Sequence, residues 1–63
     1  MEDIGEKIKQ ERKKKGLSQK DLANQAHISN TYLSDIEVGR TKPSLKTLQN
    51  LAKALEVDAR EFL

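Results

Sequence analysis

Cysteine and tryptophan are absent from the 63 residues, and proline, phenylalanine, tyrosine and histidine occur once each. Without cysteine, neither a disulfide nor a thiolate-bound zinc can staple a fold this small. The one histidine, His27, has no second metal ligand and no activated nucleophile at a suitable spacing, and no glycine-rich phosphate loop occurs. Metal binding, a cofactor and enzymatic catalysis are therefore not expected. No run approaches the roughly 18 apolar residues of a membrane span. The N-terminus carries Glu2 and Asp3 and no hydrophobic signal region, so a cytoplasmic protein with no membrane partner is expected. Strand alternation is missing and β-branched residues are few. One further shortage is local: from Asp21 to Gly39 there is no lysine or arginine, yet the chain has a net charge of +2.

What is present fits a small helical domain spanning residues 1–63, with 35% apolar and 35% charged residues. Residues 7–15, "KIKQERKKK", hold six cations and one acid. Arg40, Lys42 and Lys46 form a second, looser group, so the charge flanks the cation-free stretch. An apolar residue, a capping residue, three variable residues and another apolar residue recur as "LSQKDL", "ISNTYL", "PSLKTL" and "VDAREF". Each matches a hydrophobic staple around an N-cap. Ser18, Ser29, Ser44 and Asp58 are the expected caps, with capping boxes at Ser18–Asp21 and Asp58–Glu61, and Asp3 with Glu6 marks a fifth start. Gly16 and Gly39 read as left-handed helix stops, and Pro43 ends a loop. The expected helices are 3–15, 18–25, 29–38, 44–55 and 58–62. Helical spacing places Ile4 and Ile8, Leu22, Ala23 and Ala26, and Leu33 and Ile36 on inward faces. Leu45, Leu48, Leu51, Ala52 and Leu55 form the longest stripe, and Leu17, Ile28, Val57 and Phe62 complete one shared core.

Only "AHI" separates the second and third helices, which suits a sharp crossing, with Ala23 small enough for close approach. The spacing of Leu22, Ala23, Ala26, Ile28, Leu33 and Ile36, with "GLSQKDLA" before it, "YLSDIEVGRTKPS" after it and "TLQNLAKALEVDAREFL" at the end, resembles the phage-repressor and Cro-like (XRE) family over nearly the whole chain. The resemblance implies an all-α, five-helix lambda-repressor-like domain with a helix-turn-helix. The family usually has glycine in the turn; His27 stands there in this chain and is expected to adopt a positive φ.

The resemblance also implies sequence-specific binding to double-stranded DNA by a transcriptional regulator, favouring repression over activation, in the cytoplasm on the nucleoid. With Leu33 and Ile36 facing the core, Thr31, Ser34, Asp35 and Val38 point away from it and Asn30 lies at the tip. Family base readers match Asn30, Thr31 and Asp35, and Ser34 shares their edge. Asparagine suits adenine, threonine offers a hydroxyl or a methyl, and an aspartate can only accept, as from cytosine N4. Asp35 has a second reading, a solvated acid holding a nearby lysine or arginine. Phosphate contacts are expected from Ser18, Gln19 and Lys20 at the start of helix 2 and from Arg40 and Lys42 in the loop. Tyr32 has two equal readings, a hydroxyl on a phosphate or a ring that covers the core edge. The family often has asparagine or arginine at the position of Val38, and valine cannot bond a phosphate.

Arg12 and Glu37 both lean inward, and opposite charges in that position can be reconciled by pairing. The resemblance implies an internal ion pair there that leaves part of the Arg12 guanidinium for phosphate; the alternative is two heads that snorkel apart. A module of this size normally binds as a homodimer on a pseudo-palindromic operator, with half-sites about 34–36 Å apart. The chain is expected either to be the amino-terminal part of a longer regulator or to pair through the outer faces of helices 4 and 5. A different class of function also fits the pattern, a protein-interaction module such as an antitoxin or adaptor domain.

Overall fold

The computed structural model describes residues 3–63. Four α-helices follow one another, α1 (Ile4–Lys14), α2 (Gln19–Ala26), α3 (Asn30–Glu37) and α4 (Leu45–Leu55), and a 3-10 turn spans Ala59–Phe62. No strand occurs among the described residues. Each α-helix starts where a short polar side chain accepts an otherwise unpaired N–H. Asp3 Oδ1 takes Glu6 N–H at 2.8 Å and Ser18 Oγ takes Asp21 N–H at 3.0 Å. Ser29 Oγ takes Tyr32 N–H at 3.0 Å and Ser44 Oγ takes Thr47 N–H at 3.1 Å. The expected ranges counted these caps as helical residues, which accounts for starts one residue early.

The fifth expected helix is a single 3-10 turn instead. Its backbone closes over three residues, from Glu61 N–H to Asp58 O at 2.9 Å and from Leu63 N–H to Arg60 O at 3.2 Å, as short segments commonly do. The Asp58–Glu61 box gives way to a different cap: Asp58 Oδ1 accepts the Arg60 N–H at 2.9 Å, and its carboxylate holds the Arg60 guanidinium at 2.9 Å. The guanidinium first, and then the N–H, keep the Asp58 carboxyl below its ordinary 3.8. This support is present above the ordinary value and is lost as pH falls through the lowered one.

All four α-helices end in one pattern. The N–H of Leu17, Ile28, Arg40 and Val57 returns five residues, to the carbonyls of Arg12, Ala23, Asp35 and Ala52, at 3.1, 3.0, 2.9 and 3.0 Å. The residue before each donor is left-handed: Gly16, His27, Gly39 and Glu56, with φ of 71°, 61°, 84° and 60°. This is the Schellman closure. His27 has the positive φ expected of it. Glu56 was not anticipated, because glutamate carries no sequence signal for that conformation. Leu17, Ile28 and Val57 tuck against the core after the turn, whereas the fourth residue in this position, Arg40, is exposed.

The core gathers Ile8, Leu22, Ala23, Ala26, Leu33, Ile36, Leu48, Leu51, Ala52, Leu55 and Phe62. Leu45 is the exception to the expected stripe, at 62% exposed. It occupies the first position of α4, and Leu48, one turn later, takes the inward place. α2 packs chiefly on α4, and α1 on α3.

Gly5 sets the second of these contacts. It is buried in α1, where a Cβ would run into the carbonyl oxygen of Ile36 and stand 3.0 Å from that of Glu37. The α1 backbone therefore lies directly on the last turn of α3. Gly5, Ile8 and Arg12 are the buried residues of α1, and at spacings of three and four they form one stripe. Two substitutions to or from glycine should therefore move stability in opposite directions. Gly5→Ala is expected to cost about 1–3 kcal/mol through overpacking against backbone, and His27→Gly to gain up to about 1 kcal/mol by relieving the left-handed strain. Urea denaturation followed by circular dichroism measures both. Equal stabilities for Gly5→Ala and the parent would refute the close approach.

Candidate nucleic-acid interface

α2 and α3 meet through a turn of His27, Ile28 and the cap Ser29. Ala23 and Ala26, the small residues of α2, are buried in the core. α3 then presents two unlike sides. Leu33 and Ile36 lie in the core. Asn30 and Thr31 are exposed at its tip, and Ser34 and Asp35 are half-buried along the outer edge. Val38 continues that edge at 63% exposed. Tyr32 packs partly against the core, so at most the rest of its ring and hydroxyl faces outward. The eight residues of α3 form a helix about 10–12 Å in diameter, which the roughly 12 Å width of a B-DNA major groove admits.

The acids of the cation-free stretch each have a partner. Asp21 closes a capping box, with its Oδ2 accepting the Ser18 N–H at 3.4 Å. Glu37 is held from two other helices. Arg12 donates to it through Nε at 2.8 Å and Nη2 at 3.1 Å, a bidentate fork. Gln19 Nε2 adds a third bond at 3.0 Å. The remaining terminal nitrogen of the guanidinium, Nη1, donates to the Leu17 carbonyl at 2.8 Å. The Arg12 and Glu37 side chains are 10% and 1% exposed, and no buried side-chain nitrogen or oxygen among the described residues lacks a partner. Every nitrogen of Arg12 is thus engaged internally. Asp35, the third acid, has Arg40 Nη1 3.6 Å from its Oδ1.

Two parts of this arrangement escaped sequence reasoning. The Gln19 amide bonds across to Glu37, and nothing in a glutamine at the first position of a helix marks that distant partner. The Leu17 carbonyl is free to accept from Arg12 because the backbone has already turned out of α1. The remaining candidates lie around α3. Ser18 is exposed at the cap of α2 with Gln19 half-buried beside it, and Lys20, Arg40 and Lys42 are all exposed. The cations thus precede or follow the stretch that holds α3.

Two short helices crossing through a tight turn, the second showing a neutral polar edge, define a helix-turn-helix module. The helix-turn-helix family model matches residues 8–62, and the chain belongs to that family. The HTH-type transcriptional regulator DdrOP3 of Deinococcus deserti is 47% identical over 92% of this chain and 45% of its own length. SinR of Bacillus subtilis, also an HTH-type transcriptional regulator, is 41% identical over 95% of this chain and 55% of its own. Among solved structures, the P22 c2 repressor in complex with a synthetic operator superposes with a TM-score of 0.94 at 32% identity, covering 100% of this chain and 96% of that one. The chain spans about half the length of the DdrOP3 and SinR regulators.

Because Glu37 is almost wholly buried, removing one partner should cost far more than removing both. Arg12→Met or Glu37→Gln alone is expected to destabilise by about 3–5 kcal/mol. The double variant should lose much less than the sum, with a coupling of at least about 1 kcal/mol in a denaturation cycle. Additive, mild losses would mean that the pair contributes nothing specific.

Proposed function

We propose that this chain is a sequence-specific double-stranded-DNA-binding domain of a transcriptional regulator, a repressor rather than an activator. It acts in the cytoplasm on the nucleoid, as a homodimer on a pseudo-palindromic operator. One observation carries the reading: α3 turns Asn30, Thr31 and Ser34 outward while Leu33 and Ile36 anchor it in the core. Donors and acceptors of defined geometry on a helix that the major groove can admit are what base readout requires. Asn30 suits adenine through its amide, Thr31 a thymine methyl or an acceptor, and Ser34 either kind of partner. Lys20, Arg40 and Lys42 supply phosphate attraction from the rims, with Ser18, the first-turn N–H groups of α2 and the Tyr32 hydroxyl as neutral contacts. Arg12 serves chiefly the internal pair. Likeness to a repressor solved on its operator supports the same assignment.

Selection from random duplexes tests it. A two-fold related sequence should be enriched. Asn30→Ala and Thr31→Ala should each relax the preference at their own base pair, by about 1–3 kcal/mol. Lys42→Ala should weaken all sequences alike and make the salt dependence shallower by about one unit. If the unaltered protein enriches no duplex, a protein-interaction module of the antitoxin or adaptor kind replaces this reading.

A further inference from the structure

We infer that Asp35 is a positioning residue that aims Arg40 at a phosphate, rather than a reader of bases. The inference rests on the proposed DNA-binding reading and refines it. Of the four Schellman closures in the fold, three place an apolar residue after the left-handed position, and that residue tucks into the core. The closure of α3 alone places a cation there. Arg40 cannot tuck inward, and its side chain is 78% exposed. A long exposed arginine has many rotamers open to it, and holding it over one phosphate has an entropic cost.

Asp35 restrains it at two points. The Asp35 carbonyl accepts the Arg40 backbone N–H at 2.9 Å, which fixes where the Arg40 side chain leaves the loop. The Asp35 carboxylate then lies 3.6 Å from Arg40 Nη1. An arginine presents five N–H donors in a planar fork, so an ion pair through one terminal nitrogen leaves the others available for a phosphate oxygen. The pair also answers an electrostatic difficulty. Of the acids between Asp21 and Gly39, Asp21 is engaged in a cap and Glu37 is inside, so Asp35 alone brings negative charge to the outer edge of α3. Left unpaired there, it would repel every duplex. Paired with Arg40, it contributes little net charge to the edge and orders the cation. Val38, the other outward residue of this last turn, is apolar and offers Arg40 no competing acceptor.

The test uses the duplex selected by the unaltered protein and a shuffled one, with binding measured across a series of salt concentrations. Asp35→Ala and the near-isosteric Asp35→Asn should each weaken binding about threefold to tenfold on both duplexes. The salt slope should become shallower by about one unit, and a repeated selection should return the same base preferences. Arg40→Ala should do the same, and Asp35→Ala with Arg40→Ala together should lose no more than Arg40→Ala alone. Two results overturn the inference while leaving the DNA-binding reading in place. One is loss of preference at a single base pair with an unchanged salt slope, which makes Asp35 a base reader. The other is tighter binding to both duplexes, which makes it merely repulsive. No binding by the unaltered protein would instead remove both readings.

Discussion

A carboxylate with 1% of its surface in water is the constraint around which the first three helices are arranged. Desolvating Glu37 costs several kcal/mol unless charge and hydrogen bonds are returned to it. Here they come from Arg12 of α1 and Gln19 of α2, converging on the last residue of α3. Arg12 can reach only if α1 lies close, and α1 lies close because Gly5 presents no Cβ to the Ile36 carbonyl. A glycine inside a helix weakens it by roughly 1 kcal/mol relative to alanine, so its presence early in α1 is explained by packing and not by propensity. The pair adds little net stability by itself. Its consequence is geometric: the angle of α3 is tied to two other helices by bonds that are directional, where the apolar core is not.

That rigidity bears on the division of labour proposed for the surface. Reading a base edge needs atoms held within a fraction of an ångström, whereas attracting a polyanion needs only charge nearby. The first demand falls on α3, where the outward side chains before Asp35 are short and neutral. Asparagine, threonine and serine lose little side-chain entropy when fixed. The second demand falls on longer cations outside α3. The lack of lysine and arginine between Asp21 and Gly39 is then a consequence of keeping the two tasks on separate residues.

The legible parts of the fold were the ones decided within a few residues of chain. Each cap depends on close neighbours and could be read from "LSQKDL" or "ISNTYL", whereas the left-handed turn at His27 followed from the resemblance, which has glycine at that position. Periodicity gave the core for the same reason, and failed at Leu45, where Leu48 one turn later takes the inward place. The final segment had the signature of a cap but not the length for α-helical bonding, so it closed as a 3-10 turn. Gly5, Gln19 and Glu56 were missed because their roles depend on distant or emergent geometry. The first lies against the end of α3, the second bonds a carboxylate on α3, and the third is left-handed because Val57 must return to the core. For the candidate site, the outward edge of α3 followed from Leu33 and Ile36 facing in. A nearby lysine or arginine was one of the two readings of Asp35, but that the partner is Arg40 depends on the path of the loop after Gly39.

In the proposed reading, the charge on one module calls for two copies acting together. With Arg12 engaged internally, the rims of one module offer Lys20, Arg40 and Lys42, with Lys46 nearby. Three or four neutralised phosphates imply a salt slope of roughly −3. Specific protein–DNA complexes commonly need an affinity thousands of times above non-specific binding, and a single α3 with three short readers supplies few base contacts from which to build it. A second copy on a two-fold related half-site doubles both the phosphate count and the base contacts, and it does so without enlarging the reading helix. The spacing between half-sites then becomes a further selective quantity, because a rigidly held α3 cannot swing to meet a groove that is out of phase.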